Sequence, residues 1–396
     1  MKNSNIFKSF STKALVLATA SVATLASCSK DELAQDMPAS SPSQVSAPAT
    51  SGRITGQYIV TLKDGSQADL HKKGLSYGNQ LDKVRDMAKS LMSDNGIEAF
   101  ELTDDNAIGS GFTTKLTAEQ IATLKNDARV ALIEEDRLVN PAMSDVLSTT
   151  ISSAQQTSWG VKKVGGSASG VGKTAWIIDS GIDLNHTDLN VDKTRSKSFL
   201  TSTQAGTTTS ATDEFGHGTQ VAGIIGAKNN SIGTVGVAAG ATLVSLRVMD
   251  KNGSAFVSKI VAALNHVAYY GKAGDVVNLS IGFAASTTVD DAVRKVAAKG
   301  IFVAIASGNS NADAANFSPA RVNATNVYTV SSMNSSNVFI SGANFGATTV
   351  DYAAPGTNIA TTAMGGKYAL FGGTSSAAPH MAGVLLLNNG VPKSSG

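Results

Sequence analysis

Three residues have the types and the order of a nucleophilic relay: Asp179, His217 and Ser375. They stand in the segments 174–188 (TAWIIDSGIDLNHTD), 213–226 (DEFGHGTQVAGIIG) and 371–383 (FGGTSSAAPHMAG). A serine hydroxyl becomes a useful nucleophile when a neighbouring imidazole takes its proton. That imidazole needs a carboxylate to fix its tautomer and to stabilise its charged form. Singly, an aspartate after a strand reads as a turn or cap residue, and a serine among glycines reads as loop. The three together point to catalysis.

The surrounding sequence supplies elements to hold them. Residues 175–178 are apolar and β-prone, so Asp179 reads as the end of a buried parallel strand, where sites of open α/β sheets form. His217 lies between Gly216 and Gly218 and opens a stretch, 221–225, that reads as a buried helix. Ser375 follows Gly372, Gly373 and Thr374 and precedes Pro379 and the apolar run 381–387. Small residues permit close backbone approach, proline suits a first helical turn, and the nucleophile then sits near a helix N-terminus. Strands at Trp176, 242–247, 276–281 and 301–306 alternate with helices. One of these, 288–299, carries Val289, Val293 and Val296 on one face and stops at Gly300. Such alternation implies a parallel sheet with helices on both faces and a site at the strands' carboxyl ends, where Asp179 and Asn309 both stand.

On these motifs, residues 158–390 resemble the subtilisin-like serine proteases, most closely their proteinase-K-like branch. The order Asp, His, Ser is that family's own. The segment 301–309 (IFVAIASGN) resembles the family strand that ends in the oxyanion-hole asparagine. The resemblance implies that the Asn309 amide and the Ser375 backbone N–H receive the developing oxyanion. It also implies an extended polypeptide substrate, paired on one edge with Gly253, Ser254 and Ala255. On the other edge stand Ser280, Ile281 and Gly282, which line the primary pocket. No fixed charge occurs in 280–284 or 304–308, so cleavage after bulky apolar or aromatic residues is expected, with broad specificity from backbone pairing. The implied enzyme is a monomeric serine endopeptidase that needs no cofactor for its chemistry. The family commonly binds structural calcium, and Asp351 with carbonyls near 324–327 offers oxygen-only ligands of the right kind. Departures are Gln220 for a common second histidine, Phe283 for a glycine at the pocket rim, where it could narrow the pocket, and an early stop after the nucleophile helix. His71, His186, His266 and His380 read as structural or surface residues.

Ahead of this region, residues 56 to about 140 read β, α, β, β, α, β. Residues 58–62 alternate as a strand; Leu81, Val84, Met87, Ala88 and Leu91 fall at helical spacing before Gly96. Thr117 and Gln120 form a capping-box pair, and 130–133 make the last strand before Glu134, Glu135 and Asp136. Periodicity alone fits a small ferredoxin-like binding module. The segments YIVTL, GFTTKLTAEQIATL and VALIEED resemble the propeptide inhibitor domain of subtilisin-type enzymes. That resemblance implies an α+β prodomain that packs on the protease, assists its folding and leaves its tail in the cleft. Self-cleavage is expected between 139 and 158, at the Met143–Ser144 bond.

At 396 residues the chain has room for two to three domains of ~150 residues. A net charge of +2 without a dense basic cluster gives no reason to expect nucleic acid as a partner. The sole cysteine, Cys28, excludes an intrachain disulfide. Lys2, Lys8 and Lys13 precede an apolar run, 14–26, too short for a membrane span, which reads as an export signal. Residues 25–28 (LASC) resemble the bacterial lipobox, implying that Cys28 is lipidated and tethers the precursor to a membrane before processing; an ordinary signal with an incidental cysteine is the alternative. The SKDE that follows resembles a surface-export signal. Residues 33–55 are rich in Ser, Ala and Pro and read as a flexible tether. The expected organisation is a signal peptide at 1–27, a tether at 28–55, a prodomain at 56–143 and a catalytic domain at 144–396. The precursor would be an outer-membrane or cell-surface lipoprotein, with the catalytic domain released by maturation. Two other readings are a degenerate, peptide-binding surface lipoprotein and an esterase or transferase with the same acyl-enzyme chemistry.

Overall fold

The computed structural model describes residues 52–63, 75–98, 100–102, 109–140, 151–152, 154–201 and 209–392. Cys28, the signal segment, His71 and the Met143–Ser144 bond lie outside the described residues. The amino-terminal part consists of β1 (Gly52–Leu62), α1 (Tyr77–Asp94), β2 (Gly111–Lys115), α2 (Ala118–Leu124) and β3 (Val130–Val139). Next come α3 (Trp159–Lys163), β4 (Ala168–Ser169), β5 (Thr174–Asp179), β6 (Lys197–Ser198), α4 (His217–Gly226), β7 (Ala238–Ala239), β8 (Thr242–Arg247) and β9 (Ala255–Phe256). The remainder is α5 (Val257–Tyr270), β10 (Val276–Leu279), β11 (Phe283–Ala284), α6 (Thr287–Ala298), β12 (Phe302–Ala306), β13 (Phe317–Ser318), β14 (Val327–Met333), β15 (Tyr352–Pro355), β16 (Ile359–Ala363), β17 (Lys367–Phe371) and α7 (Thr374–Leu387).

Seven strands form a parallel sheet in the order β15-β14-β12-β10-β5-β8-β6. Successive side chains of a strand point to opposite faces, so each central strand feeds two cores. Trp176 and Ile178 of β5 join Val261 and Leu264 of α5 and Val293 of α6. Ala175 and Ile177 join Val221 and Ile225 of α4 and Met381 and Leu385 of α7. The fold is thus the expected α/β sheet with helices on both faces, and α4 and α7, which carry His217 and Ser375, share one face.

In the amino-terminal part, α1 and α2 cover one face of the sheet through Val60, Leu62, Leu91, Phe112 and Leu124. The capping box forms as read: Thr117 Oγ1 accepts the Gln120 N–H at 3.2 Å, and Gln120 Oε1 accepts the Thr117 N–H at 2.9 Å. The sheet order is β2-β1-β3-β9, so its outer strand, Ala255–Phe256, comes from beyond the amino-terminal part. Ile59 and Val139 pass through the sheet into the core formed with α5 and α6. Two sequence expectations change. Residues 52–55, read as tether, are already strand, because Gly52 and Arg53 pair with Leu138 and Arg137 and satisfy their backbone groups there. The strand expected between α1 and β2 is absent from 97–98 and 100–102; residues 99 and 103–108 lie outside the described residues.

Candidate active site

β5 ends at Asp179, fully buried, and α4 begins at His217. His217 Nδ1 lies 2.8 Å and 3.0 Å from the two carboxylate oxygens of Asp179. The flanking glycines permit this approach. Gly216 takes φ +112°, and a Cβ on Gly218 would strike the Gly181 carbonyl beside Asp179. Phe371 stands edge-on to the imidazole at 5.3 Å. Burial alone would push the imidazole pKa down; the Asp179 carboxylate, with a contribution from Asp213, holds it above its ordinary value. An Nδ1–H donated to Asp179 makes Nε2 the acceptor. Nε2 is buried and has no hydrogen-bond partner among the described residues, so the bond to Ser375 Oγ is not formed here. Catalytic hydrogen bonds commonly tighten only when substrate is bound.

Ser375 is the second residue of α7, after Gly373 at φ +74°. Pro379 lies inside the helix rather than in its first turn, which corrects the sequence expectation. It has no N–H to give to the carbonyl four residues back, which is that of Ser375. Ser280 Oγ fills the place, donating to Ser375 O at 3.0 Å, and Asn278 Nδ2 donates to Ser280 Oγ at 2.9 Å. Asn309 follows the end of β12. Its Oδ1 accepts the N–H of Thr374 at 2.9 Å and the Thr374 hydroxyl at 3.0 Å. The Thr374 hydroxyl also accepts the Gly308 N–H at 3.2 Å. This fixes the Asn309 amide with its oxygen toward α7. Asp179 and His217 are bonded directly, and Asn309 is bonded to the residue before Ser375.

The segments expected to flank a substrate, 280–282 and 253–255, both lie among the described residues. Ile281 is buried, and a Cβ on Gly282 would lie 3.8 Å from Gly308 Cα, so the chain ends after β10 and β12 approach closely. Phe283 does not project into the gap: it is 6% exposed and belongs to the core with α6. The opposite edge is occupied by the chain itself. β3 pairs antiparallel with β9, Leu138 opposite Phe256 and Val139 opposite Ala255, and Ser254 Oγ donates to Asn140 Oδ1 at 2.6 Å. Gly253, at φ +77°, turns the edge just before this pairing.

Two acids on one face of β3 hold the starts of α5 and α6. Asp136 accepts the N–H of Ser258 at 3.0 Å and its hydroxyl at 2.7 Å, at the start of α5, where Phe256 supplies no capping oxygen. Glu134 accepts the N–H and hydroxyl of Thr288, at 3.0 and 2.9 Å, at the start of α6. Arg137 donates to the carbonyls of Ala284 and Ala285 at 3.3 and 2.9 Å. The sequence reads as a strand over 130–133 with these acids after it, whereas β3 runs on to Val139 and carries them within it. Their spacing of two, which puts both side chains on one face, was the available signal.

Among the other histidines, His186 is buried, with Nδ1 accepting the Asp188 N–H and Nε2 3.1 Å from Lys367 O. His380 is buried against Ser376 O, and burial pushes it down to about 4. His266 is buried in a ring cluster with Tyr77 of α1. Asp351 is exposed and accepts the Thr329 N–H at 2.8 Å. Among the described residues no group of three His, Cys, Asp or Glu is gathered, and no helix is long and apolar enough to cross a membrane.

Residues 172–393 match the model of the subtilase family, and residues 57–142 match that of the peptidase inhibitor I9 family. The chain is 36% identical over 291 residues to alkaline serine exoprotease A of Vibrio alginolyticus, covering 70% of this chain and 51% of that one. It is 31% identical over 347 residues to alkaline serine protease ver112 of Corniculantispora psalliotae, covering 84% and 79%. Identity to M-protease of Shouchella clausii is 36% over 282 residues, covering 69% and 68%. A solved structure of a cold adapted subtilisin-like serine proteinase superposes with a TM-score of 0.51 at 35% identity, covering 58% of this chain and 84% of that one.

Proposed function

The chain belongs to the subtilase family, and on that premise we propose that it is an exported serine endopeptidase, made as a self-cleaving precursor, that cuts polypeptides through Asp179, His217 and Ser375. The carrying observation is the Asp179–His217 pair at 2.8 Å at the mouth of the parallel sheet. Asp179 holds the imidazole as its Nδ1–H tautomer. Nε2 then takes the Ser375 proton as Oγ attacks the substrate carbonyl, and returns it to the leaving amine. The carbonyl oxygen becomes an oxyanion, received by the Asn309 amide and the Ser375 N–H. Water repeats the sequence on the acyl-enzyme, with His217 again as base. Ser280, Ile281 and Gly282 bring no charge to the pocket wall, so a Lys or Arg side chain would lose hydration there without a partner, and large apolar side chains are preferred.

The same reading makes the amino-terminal domain the enzyme's own inhibitor, its strand β3 lying on the edge that substrate would use. Residues 1–27 export the precursor as a monomer, lipidated Cys28 tethers it to the outer membrane or cell surface, and cleavage at Met143–Ser144 releases the catalytic domain. Calcium would be a structural ion, with Asp351, whose carboxylate also accepts the Thr329 N–H, and carbonyls near 324–327 as the oxygen ligands that would hold it. The test is the Ser375→Ala variant followed by mass spectrometry over time and by fluorophosphonate labelling. It should remain uncleaved and unlabelled while the wild type does both. Labelling that persists in the variant would reassign the nucleophile, and a wild type that neither labels nor cleaves would leave a peptide-binding protein.

A further inference from the structure

We propose that Asp213 is a positioning residue for the proton relay, binding the first turn of α4 to the end of β5 and supporting with its negative charge the imidazolium that forms on His217. Asp213 is 7% exposed and precedes His217 by four residues. Five donors meet its carboxylate. Oδ1 accepts the Ser180 hydroxyl at 2.9 Å and the N–H groups of Phe215 at 3.0 Å and Gly216 at 2.8 Å; Oδ2 accepts the Thr219 N–H at 3.0 Å and its hydroxyl at 2.6 Å. The donors come from both halves of the Asp–His pair. Ser180 is the residue after Asp179: its N–H donates to Asp179 Oδ1 at 2.7 Å, and its hydroxyl accepts the Gly218 N–H at 2.9 Å. Thr219 lies in the first turn of α4, whose cap residue Gly216 has no side chain to offer. Asp213 therefore caps the helix that begins with His217 and ties it to the strand that ends with Asp179.

The charge argument follows from the same contacts. Burial pushes the Asp213 carboxyl up, against hydrogen bonds from Thr219, Gly216 and Phe215. The Ser180 and Thr219 hydroxyls each already accept a backbone N–H, from Gly218 and from Asp183 at 2.9 Å, so both give their protons to Asp213. With donors on both oxygens, the ionised form is the one this cage fits. The other charged groups packed around the pair are few. Asp179 faces the ring from β5. Arg247, fully buried on β8, donates to the carbonyls of Ser210 and Thr212 and pairs with Glu214 at 2.5 Å, bracketing Asp213 in the chain. Asp183 lies on the next turn, its carboxylate taken by the N–H groups of Gly365 and Gly366. In a water-poor site a fixed carboxylate near, but not touching, the imidazole favours the charged ring.

The inference rests on His217 being the base. The Asp213→Asn variant is processed, its active sites are counted with a fluorophosphonate, and kcat and KM on a peptide substrate are measured across pH. KM should stay near the wild-type value, while kcat falls about tenfold and the acid limb of the rate moves about one pH unit lower, the same free energy read twice. An acid limb that stays in place overturns the proposal whatever kcat does, because the loss is then one of fold alone. Should Asp213→Asn yield no processed enzyme, Ser180→Ala keeps the carboxylate and removes its link to β5. It should lower kcat about threefold at constant KM, by the loosening of one hydrogen bond, and an unchanged kcat overturns the link. His217→Ala separates the two readings: if it remains active, the relay itself fails; if it is dead and the Asp213→Asn limb is unmoved, only the role of Asp213 fails.

Discussion

Pro379 removes the hydrogen bond that would have held the Ser375 carbonyl within α7, and Ser280 and Asn278 replace it from the sheet below. Ser375, the proposed nucleophile, is thereby fixed to the strand end proposed to line the pocket, so a shift of one moves the other. Asn309 is fixed in the same way through Thr374, and its removal should cost kcat about 10²–10³-fold with KM little changed, as for a group that binds only the transition state. Kinetics of Asn309→Ala decide this, and a change confined to KM would remove the residue from the oxyanion site. The pH dependence carries a sign. Asp179 raises His217 above its ordinary value, so the rate should fall as pH drops through a point above about 6.5, and Asp179→Asn should move that point down. The residue types of the relay could be read from three segments because glycines mark each one. Asp213, Ser180 and Thr374 could not, since their roles arise from bonds between segments 33 to 65 residues apart.

Helices α5 and α6 both begin against the same strand of the amino-terminal domain: Asp136 supplies the cap that α5 lacks, and Glu134 adds to that of α6, whose Ser286 hydroxyl already accepts the Val289 N–H. A free catalytic region would present both helix starts without these partners, a reason for the inhibitor domain to bind there and to assist folding. Glu134→Ala and Asp136→Ala in residues 52–143, added to mature enzyme, should each weaken inhibition about five- to thirtyfold, the effect of about 1–2 kcal/mol per cap. Inhibition constants unchanged in both would mean that the pairing of β3 with β9 alone determines binding. At this scale the sequence was legible where side chains act locally: the Thr117–Gln120 box, the stop at Gly300, the apolar strands. It failed where the backbone decides. Residues 52–55 close a Ser-, Ala- and Pro-rich segment yet become strand by pairing with 137 and 138, and Pro379 enters a helix because a hydroxyl outside that helix takes the orphaned carbonyl.

Across the whole molecule, the inhibitor domain and the enzyme meet over a ring cluster that contains a titratable group. Tyr77 of α1, 6% exposed, stands edge-on to His266 at 5.3 Å and packs on Tyr269 and Tyr270, and the Tyr269 hydroxyl donates to Leu75 O at 2.5 Å. Trp176, Phe199 and Lys197 close the other sides of His266. Burial, with Lys197 adding to it, pushes His266 down to about 4, so the imidazole is neutral in the complex. Departure of Tyr77 would open the ring to water and let it return toward about 6.5. A group depressed in the complex supports it fully above the free value and loses that support as pH falls toward the bound value, here between about 6.5 and 4. Asp136 works in the opposite direction. Burial raises its carboxyl at the interface, so its share is kept in acid and weakens as pH rises through the raised value. Inhibition should therefore weaken on acidification by up to about tenfold per pH unit within the His266 window, and His266→Phe, which keeps a ring against Tyr77, should remove that slope. The measurement is the inhibition constant of residues 52–143 at pH 7.5, 6 and 5 on both enzymes. An equal slope in the variant would move the acid sensitivity elsewhere; a slope lost only in the variant would make His266 the residue through which the surroundings set the lifetime of the inhibited state.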